Sequence, residues 1–392
     1  MSALTRNRIA QRLDQLGEYR RFAERVRRQT GKSLAQQVRE IWDLKHLGGQ
    51  CGISDYYWYR LYDPAYQCGR GAADYLGWRL QQEFSLALNP RIAALPGVDK
   101  IAFYSLAAAA GLPLAPVLAT YHPGEGLVPQ LGMHLRDVRA VERLLRDPSI
   151  YPIFVKPSFS QQGYGSHGLV GFEPKGELLH TFSGGTLPLA ELLRSLTHSV
   201  DRQYHKPECG CLFQPMLKPA AEIVAFNEWP AVCGARVVCL NGPEGVQPIR
   251  AIWKIAVRPN HVDNFSLGKH GNLVADIDLD SGEVRRMVNG MGPDAGVLDT
   301  HPQTGKPLAG FRLPGWQQVL QACKAAGAVF PLLQVQHWDV AFTEQGPFIL
   351  ELNDLGATEF LQLHGHGLLT PATRAFLKAD ADRQAQSWVA GL

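Results

Sequence analysis

The spacing of apolar positions changes character near residue 96. Before it, Ile9, Leu13, Leu16, Tyr19 and Phe22 recur at three- and four-residue spacing, with arginines filling the other faces. That is the periodicity of amphipathic helices, so the segment through residue 89 is predicted helical. Beyond residue 96, short apolar runs alternate with helix-period segments. Helices are predicted over residues 100–110, stopping at Gly111-Leu112-Pro113, over 137–146, near 189–196 and near 315–326. Strands are predicted over 117–121, 153–156 and 211–214, then over 234–240, 248–257, 273–278, 338–343 and 348–352. Asp280-Ser281-Gly282 and Glu344-Gln345-Gly346-Pro347 carry the residues of hairpin turns. The pattern is α+β: a helical region, a mixed lobe and a larger lobe on an antiparallel sheet. The expected boundaries are 1–96, 97–217 and 218–392.

Composition narrows the class. A chain of 392 residues with 45% hydrophobic and 19% charged residues is globular and long enough for two or three lobes. The formal charge of +3 is too small to imply nucleic-acid binding by the chain as a whole. The seven cysteines, an odd number scattered along the chain, read as reduced thiols, which places the protein in the cytoplasm. No apolar run follows the basic N-terminal residues as in a secretory signal, and no stretch reaches the roughly 18 apolar residues of a membrane span. Arg20, Arg21, Arg25, Arg27 and Arg28 read as a solvated helix face; a surface for an acidic partner or anionic lipid is the alternative. The aromatics of residues 54–62 read as packing, with a substrate entrance as the alternative.

Two segments carry candidate chemistry. In the first, Lys156 closes a buried strand, and the Gly/Ser loop of residues 158–166 follows. Lysine offers a compact charge for phosphate oxygens, and Gly163 and Gly165 let backbone N–H groups approach a polyanion. A strand ending in lysine before an ordinary loop is the alternative. The second is the hairpin from Trp338-Asp339 to Glu351-Leu352-Asn353. Glu351 and Asn353 share a strand face, and Asp339 can lie across from them, an oxygen set that suits Mg²⁺. A solvent-facing polar hairpin is the alternative, but carboxylates in so apolar a context cost free energy unless paired or metal-bound. Between these segments Arg236, Arg250 and Lys254 stand on predicted strands and need anionic partners, which a triphosphate or structural acids would provide. The spacing of His364-Gly365-His366-Gly367 and of Cys209-Gly210-Cys211 is too weak to define metal sites.

In this order, Val155-Lys156-Pro157, Asp263-Asn264-Phe265-Ser266 with Gly268, Asp280-Ser281-Gly282 and Trp338-Asp339 to Asn353 resemble the ATP-grasp superfamily, closest to its sugar-transfer-associated branch. The resemblance covers roughly residues 96–369. It implies a two-lobed fold with ATP between the lobes and the helical region added in front. It also implies Lys100 and Lys156 near the phosphates, and a flap over residues 158–166 including Ser160, Gly163 and Gly165. Gln214, Pro215, Met216 and Leu217 would form a hinge whose backbone reads adenine, and Glu222 would contact the ribose. Arg236 and Lys254 would meet phosphate or a phosphorylated intermediate, and Asp339, Glu351 and Asn353 would hold Mg²⁺. The hinge departs from the superfamily pattern, with Gln214-Pro215 where an acid is common. The implied activity is an ADP-forming ligase that phosphorylates a carboxylate on a small-molecule, peptide or sugar acceptor and joins it to an amine or a similar nucleophile such as a thiol. A kinase on the same scaffold and a nucleotide-binding protein without turnover are the alternatives.

Overall fold

The computed structural model describes residues 3–47, 49–69, 71–123, 131–160, 163–199, 201–202, 204–260 and 262–390, with the side chains of 3–13, 82 and 381–390 outside that description. The chain divides into two compact units. One takes Met1–Phe84, Arg286–Leu298 and Ala357–Leu392; the other takes Ser85–Arg285 and Asp299–Gly356.

The first unit is mainly helical, with helices over Ala3–Thr30, Leu34–Leu44, Ile53–Trp58 and Pro371–Ala390. Its core is aromatic. Tyr57 meets Phe22 at 5.7 Å and Tyr56 at 5.1 Å, and Tyr59 stacks on Tyr75 at 5.1 Å, so the aromatic run predicted at 54–62 is packing within this unit. Ser33 starts the second helix with a capping box, its side chain accepting from the Gln36 N–H while Gln36 reaches back to the Ser33 N–H. Leu16 is exposed, and the side chains of Ile9 and Leu13 fall outside the described residues.

The second unit holds two sheets. The first contains β1 (Ala119–Tyr121), β2 (Met133–Leu135), β3 (Ile153–Ser160), β4 (His167–Glu173), β5 (Leu178–Thr181), β6 (Thr186–Pro188) and β7 (His205–Pro215). Their spatial order is β2-β1-β7-β3-β4-β5-β6. Helices Val138–Leu145 and Leu189–Ser195 cover one face, burying Val141, Leu144, Leu145, Leu189 and Leu192 against Ile153, Val155 and Phe213. The second sheet contains β8 (Gly234–Gly242), β9 (Gly245–Ile255) and β10 (Leu273–Ile277). β11 (Val284–Val288) runs across the division between the units and, in the first of them, pairs with β12 (Val297–Leu298) through Met287 and Val288. The second sheet is completed by β13 (Val335–Thr343) and β14 (Gly346–Asn353), giving the order β10-β9-β8-β13-β14 within this unit, with every pair antiparallel. The helix Trp316–Val329 packs on it.

Three differences from the predicted elements matter. β3 does not end at Pro157 but continues to Ser160, because its pairing with β7 shifts register between Pro157 and Phe159 and tolerates a residue without an N–H. Lys156 is therefore inside a strand, and the predicted flap begins as β-structure. β4, β5 and β6 have no counterpart among the predicted strands; they are short and partly exposed, so alternation barely marks them. β7 begins six residues earlier than residue 211, in a segment with Pro207, Gly210 and little periodicity.

Candidate active site

The site is built where side chains of both sheets in the second unit converge. The helix Lys100–Ala109 starts at Asp99, whose carboxylate accepts from the N–H groups of Ile101 and Ala102. Ser158 of β3 donates to the same carboxylate and accepts from the Ile101 N–H at 2.9 Å, which ties the helix start to β3. Lys100 is thereby aimed along β3. Its Nζ donates to the Ser160 carbonyl at 3.1 Å and lies 3.6 Å from Glu351 Oε2.

Lys156 points from β3 toward β14. Its Nζ lies 3.4 Å from both the Tyr104 hydroxyl and the Leu350 carbonyl, and 5.0 Å from the Tyr104 ring centre. The Leu350 carbonyl is available because Asp339 pairs with Glu351 while Val340 pairs with Ile349, which leaves Leu350 as the extra residue of a bulge. Burial brings the Lys156 ammonium down to about 8, against the opposing pull of Glu351.

The second sheet supplies a buried charge network. Arg236 of β8 stands directly opposite Asp339 of β13. Its Nε and Nη2 each donate to one Asp339 oxygen at 2.7 Å, the bidentate geometry for which arginine is suited. Lys254 of β9 donates to Asp339 Oδ2 at 3.1 Å and lies 3.2 Å from Asp263 Oδ1. Asp263 also accepts from the Gly234 N–H at 2.7 Å. Burial by itself would raise the Asp339 carboxyl, but Arg236 and Lys254 outweigh it and hold the group well below the usual carboxylate range. Burial likewise works against the Lys254 charge, and the carboxylates of Asp263 and Asp339 more than restore it.

Glu351 pairs with Asp339 across β13 and β14, which places the two carboxylates side by side. The Asn353 amide nitrogen lies 3.4 Å from Glu351 Oε1. Two adjacent carboxylates and an amide suit a hard cation. Three of the roughly four lone-pair positions on Asp339 are already taken by N–H donors, which leaves about one for a metal. Among the described residues no group of three or more His, Cys, Asp and Glu could hold a metal ion, so the amide is needed to complete the protein's share.

The structure thus brings together Lys100, Lys156, Arg236, Lys254, Asp339, Glu351 and Asn353, with the Ser160 carbonyl beside them. The flap glycines follow from β3. Gly163 and Gly165 adopt φ of +75° and +71°, and a Cβ at Gly165 would approach Pro157 Cγ to 3.1 Å. Gln161 and Gln162 of the predicted flap lie outside the described residues. Alanine at Gly165 is expected to cost about 1–2 kcal/mol in urea denaturation, and more than alanine at Gly163, whose Cβ position is open.

The hinge residues lie at and just beyond the end of β7, where Gln214 shares the Tyr104 hydroxyl with Lys156. Gln214 is buried and spends its amide N–H groups on the Tyr104 hydroxyl and the Ala115 and Pro116 carbonyls. Met216 donates its backbone N–H to the Pro152 carbonyl at 3.0 Å. Pro215 is exposed, and Leu217 is half-buried. Glu222 is exposed and lines a separate 360 Å³ pocket with Pro314, Gln318, Phe342, Thr343 and Pro347. Thr343 is four residues along β13 from Asp339, roughly 13 Å at strand rise. Arg250 is not part of the network; it lies 3.5 Å from Asp276.

Sequence reasoning missed Asp263, a member of the network, and His337, which is packed beside it. Asp263 was visible only as part of a motif, because a loop residue has no periodicity to give it a direction. His337 was legible as the same-face neighbour of Asp339, two positions earlier on β13. It is fully buried, neither ring nitrogen has a hydrogen-bond partner, and burial next to Arg236 lowers it to about 3, so it is neutral. A Cβ on Gly356 would fall 2.3 Å from its ring, so glycine is required there.

A family description for sugar-transfer associated ATP-grasp proteins matches residues 79–376. The two sheets and the helices around them define the ATP-grasp class of fold. Within that class, this chain belongs to the sugar-transfer associated ATP-grasp family. No curated protein matches the chain. Similar solved structures include an L-amino acid ligase from Bacillus licheniformis, with 13% identity, TM-score 0.33 and coverage of 67% of this chain and 41% of that one. The VanG D-Ala:D-Ser ligase from Enterococcus faecalis shares 11% identity at TM-score 0.37, covering 70% of this chain and 59% of its own. The ATP-grasp ligase PsnB, complexed with a minimal precursor, shares 15% identity at TM-score 0.36, covering 74% and 63%. This chain spans less than two thirds of the length of each, and likenesses at these TM-scores carry no argument about activity. Among the described residues no helix is long and apolar enough to cross a membrane.

Proposed function

We propose that this chain is an ADP-forming ligase that uses Mg·ATP to phosphorylate an acceptor carboxylate and passes the acyl group to an amine. The observation that carries the reading is the charge balance of the site. Lys100, Lys156, Arg236 and Lys254 surround Asp263, Asp339 and Glu351, four cations against three carboxylates, most of them buried. A surplus of buried cationic charge beside two adjacent carboxylates is complementary to a polyphosphate carrying a divalent cation.

Asp339, Glu351 and Asn353 would hold Mg²⁺, whose charge would offset that of the phosphates. Lys100 and Lys156 would orient the terminal phosphates, with the segment from Ser160 through Gly163 and Gly165 excluding water above them. The end of β7, from Gln214 to Leu217, would serve the base. Arg236 and Lys254, already poised on Asp339, would stabilise charge on the transferred group. A carboxylate oxygen of the acceptor attacks the γ-phosphorus as the bond to the β–γ bridging oxygen breaks and ADP leaves. The amine then attacks the acyl carbon; phosphate departs with the bonding pair, and the amine loses a proton. Neither step needs a nucleophilic side chain, so catalysis is positioning and charge stabilisation.

The test is ATP consumption with pooled amino acids, sugar acids and short peptides. Acceptor-dependent release of both ADP and free phosphate is the expected result. A stable phosphorylated acceptor without free phosphate would make the protein a kinase, and an absence of ATP binding would overturn the reading.

Lys156 gives this reading a pH signature. Its charge is present below about pH 8 and lost as pH rises through that value. If phosphate engages only the protonated form, nucleotide affinity is expected to weaken about tenfold between pH 7 and pH 9. Fluorescence titration with a labelled ATP analogue would measure it. Lys156→Arg, which stays charged, is expected to flatten the profile.

A further inference from the structure

The helix Leu34–Leu44 of the first unit buries Leu44 and also presents an apolar stripe outward. Leu34, Val38 and Trp42, spaced four apart and therefore on one face, are 53%, 66% and 63% exposed. The inward face carries Gln37, which is only 1% exposed, together with the buried Leu44 and half-buried Ile41. Gln37 donates to the Ala23 and Lys32 carbonyls and accepts from the Tyr57 hydroxyl at 3.0 Å. These bonds fix the rotation of the helix about its axis, so the outward stripe is a consequence of a locked orientation. A water-soluble helix ordinarily buries such a stripe and exposes its glutamine.

Charge indicates what covers the stripe. Residues 1–50 contain eleven lysines and arginines and five acids, a surplus of six, whereas the whole chain carries a surplus of three. The rest of the chain is therefore net acidic, and the basic excess is concentrated on the segment bearing the stripe. Arg20, Arg21 and Arg28 of the first helix are exposed, as is Arg39 on the second. Lys45 lies 5.7 Å from the Trp42 ring centre, a basic side chain alongside the aromatic end of the stripe.

We propose that this face docks on an anionic lipid surface, with Leu34, Val38 and Trp42 entering the headgroup boundary and the arginines meeting lipid phosphates. An apolar stripe ending in tryptophan and flanked by basic residues is the chemistry of an interfacial helix. An acidic protein would satisfy the arginines but would need its own apolar groove for the stripe. A bilayer supplies both.

The experiment is co-sedimentation of the full chain with vesicles of phosphatidylcholine alone and of phosphatidylcholine mixed with phosphatidylglycerol, at low and high salt. Binding to the anionic vesicles, weakened by salt, is the expected result. Val38→Asp and Trp42→Asp are each expected to weaken it about tenfold or more. Arg20→Glu combined with Arg21→Glu and Arg28→Glu is expected to abolish the preference for anionic vesicles. All five positions are exposed, and an unchanged thermal midpoint would show that the variants fold. A wild-type chain left in the supernatant with anionic vesicles would overturn the proposal, as would binding indifferent to Trp42→Asp. So would concentration-dependent self-association removed by Trp42→Asp, which would assign the stripe to a second copy of the chain.

Discussion

Asp339→Ala is expected to destabilise the protein by about 3–5 kcal/mol, the cost of removing the shared carboxylate from a buried ion network. The reason is specific to the network. Asp339 neutralises both Arg236, through two 2.7 Å bonds, and Lys254, and none of the three is in water. Lys254 retains Asp263, while Arg236 loses its two bonds to Asp339. Urea denaturation would measure the loss. Adding Arg236→Met in an Asp339→Leu background is expected to recover much of it, because an apolar pair of similar volume removes the uncompensated charge. A double variant no more stable than the single one would show that the loss comes from packing. Acid unfolding provides an independent check. The native Asp339 carboxyl sits well below its unfolded value, so its contribution is full above about pH 4 and disappears as pH falls through the native value. The alanine variant is expected to lack that part of the acid transition.

Glu351→Gln is expected to separate chemistry from folding. The Glu351 side chain is 30% exposed, and its ion pair with Lys100 is long, at 3.6 Å. Pairs of that kind contribute roughly 0–1 kcal/mol, so the denaturation midpoint is expected to stay close to that of the unmodified chain. ATP turnover is expected to fall about a hundredfold to a thousandfold, because a neutral amide replaces one of the two carboxylates proposed to hold the metal. Measuring turnover against Mg²⁺ concentration would distinguish weaker metal binding, which excess metal restores, from loss of the chemical step. Unchanged turnover would remove Glu351 from the site and with it the proposed metal set.

The site was unevenly legible in the sequence. Lys156, Asp339, Glu351 and Asn353 stood in apolar strands where ionised or amide groups need a partner, and the two-residue period placed Glu351 and Asn353 on one face. That rule assigns a face but no register. Register placed Arg236 directly opposite Asp339, and brought Lys254 from the next strand onto the same carboxylate. Asp263 comes from a loop, and the Leu350 bulge that offers a carbonyl to Lys156 arises from unequal pairing along β13 and β14. Neither leaves a periodic trace.

Alternation, helical period and turn residues by themselves determined the α+β class, most of the strands of the second sheet and the helices Lys100–Ala109, Val138–Leu145, Leu189–Ser195 and Trp316–Val329, because those signals are local and each element buries one face; the short helix Ala221–Asn227 was not among them. The family followed from motifs whose order along the chain is likewise visible without coordinates. Only the tertiary structure decided that Arg236, Lys254 and Asp263 share one buried network with Asp339. It alone settled that Gln37 faces inward while Leu34, Val38 and Trp42 face out. In both cases the deciding contacts reach beyond the element's own residues, and a local pattern records that a side chain needs a partner without recording which one it meets.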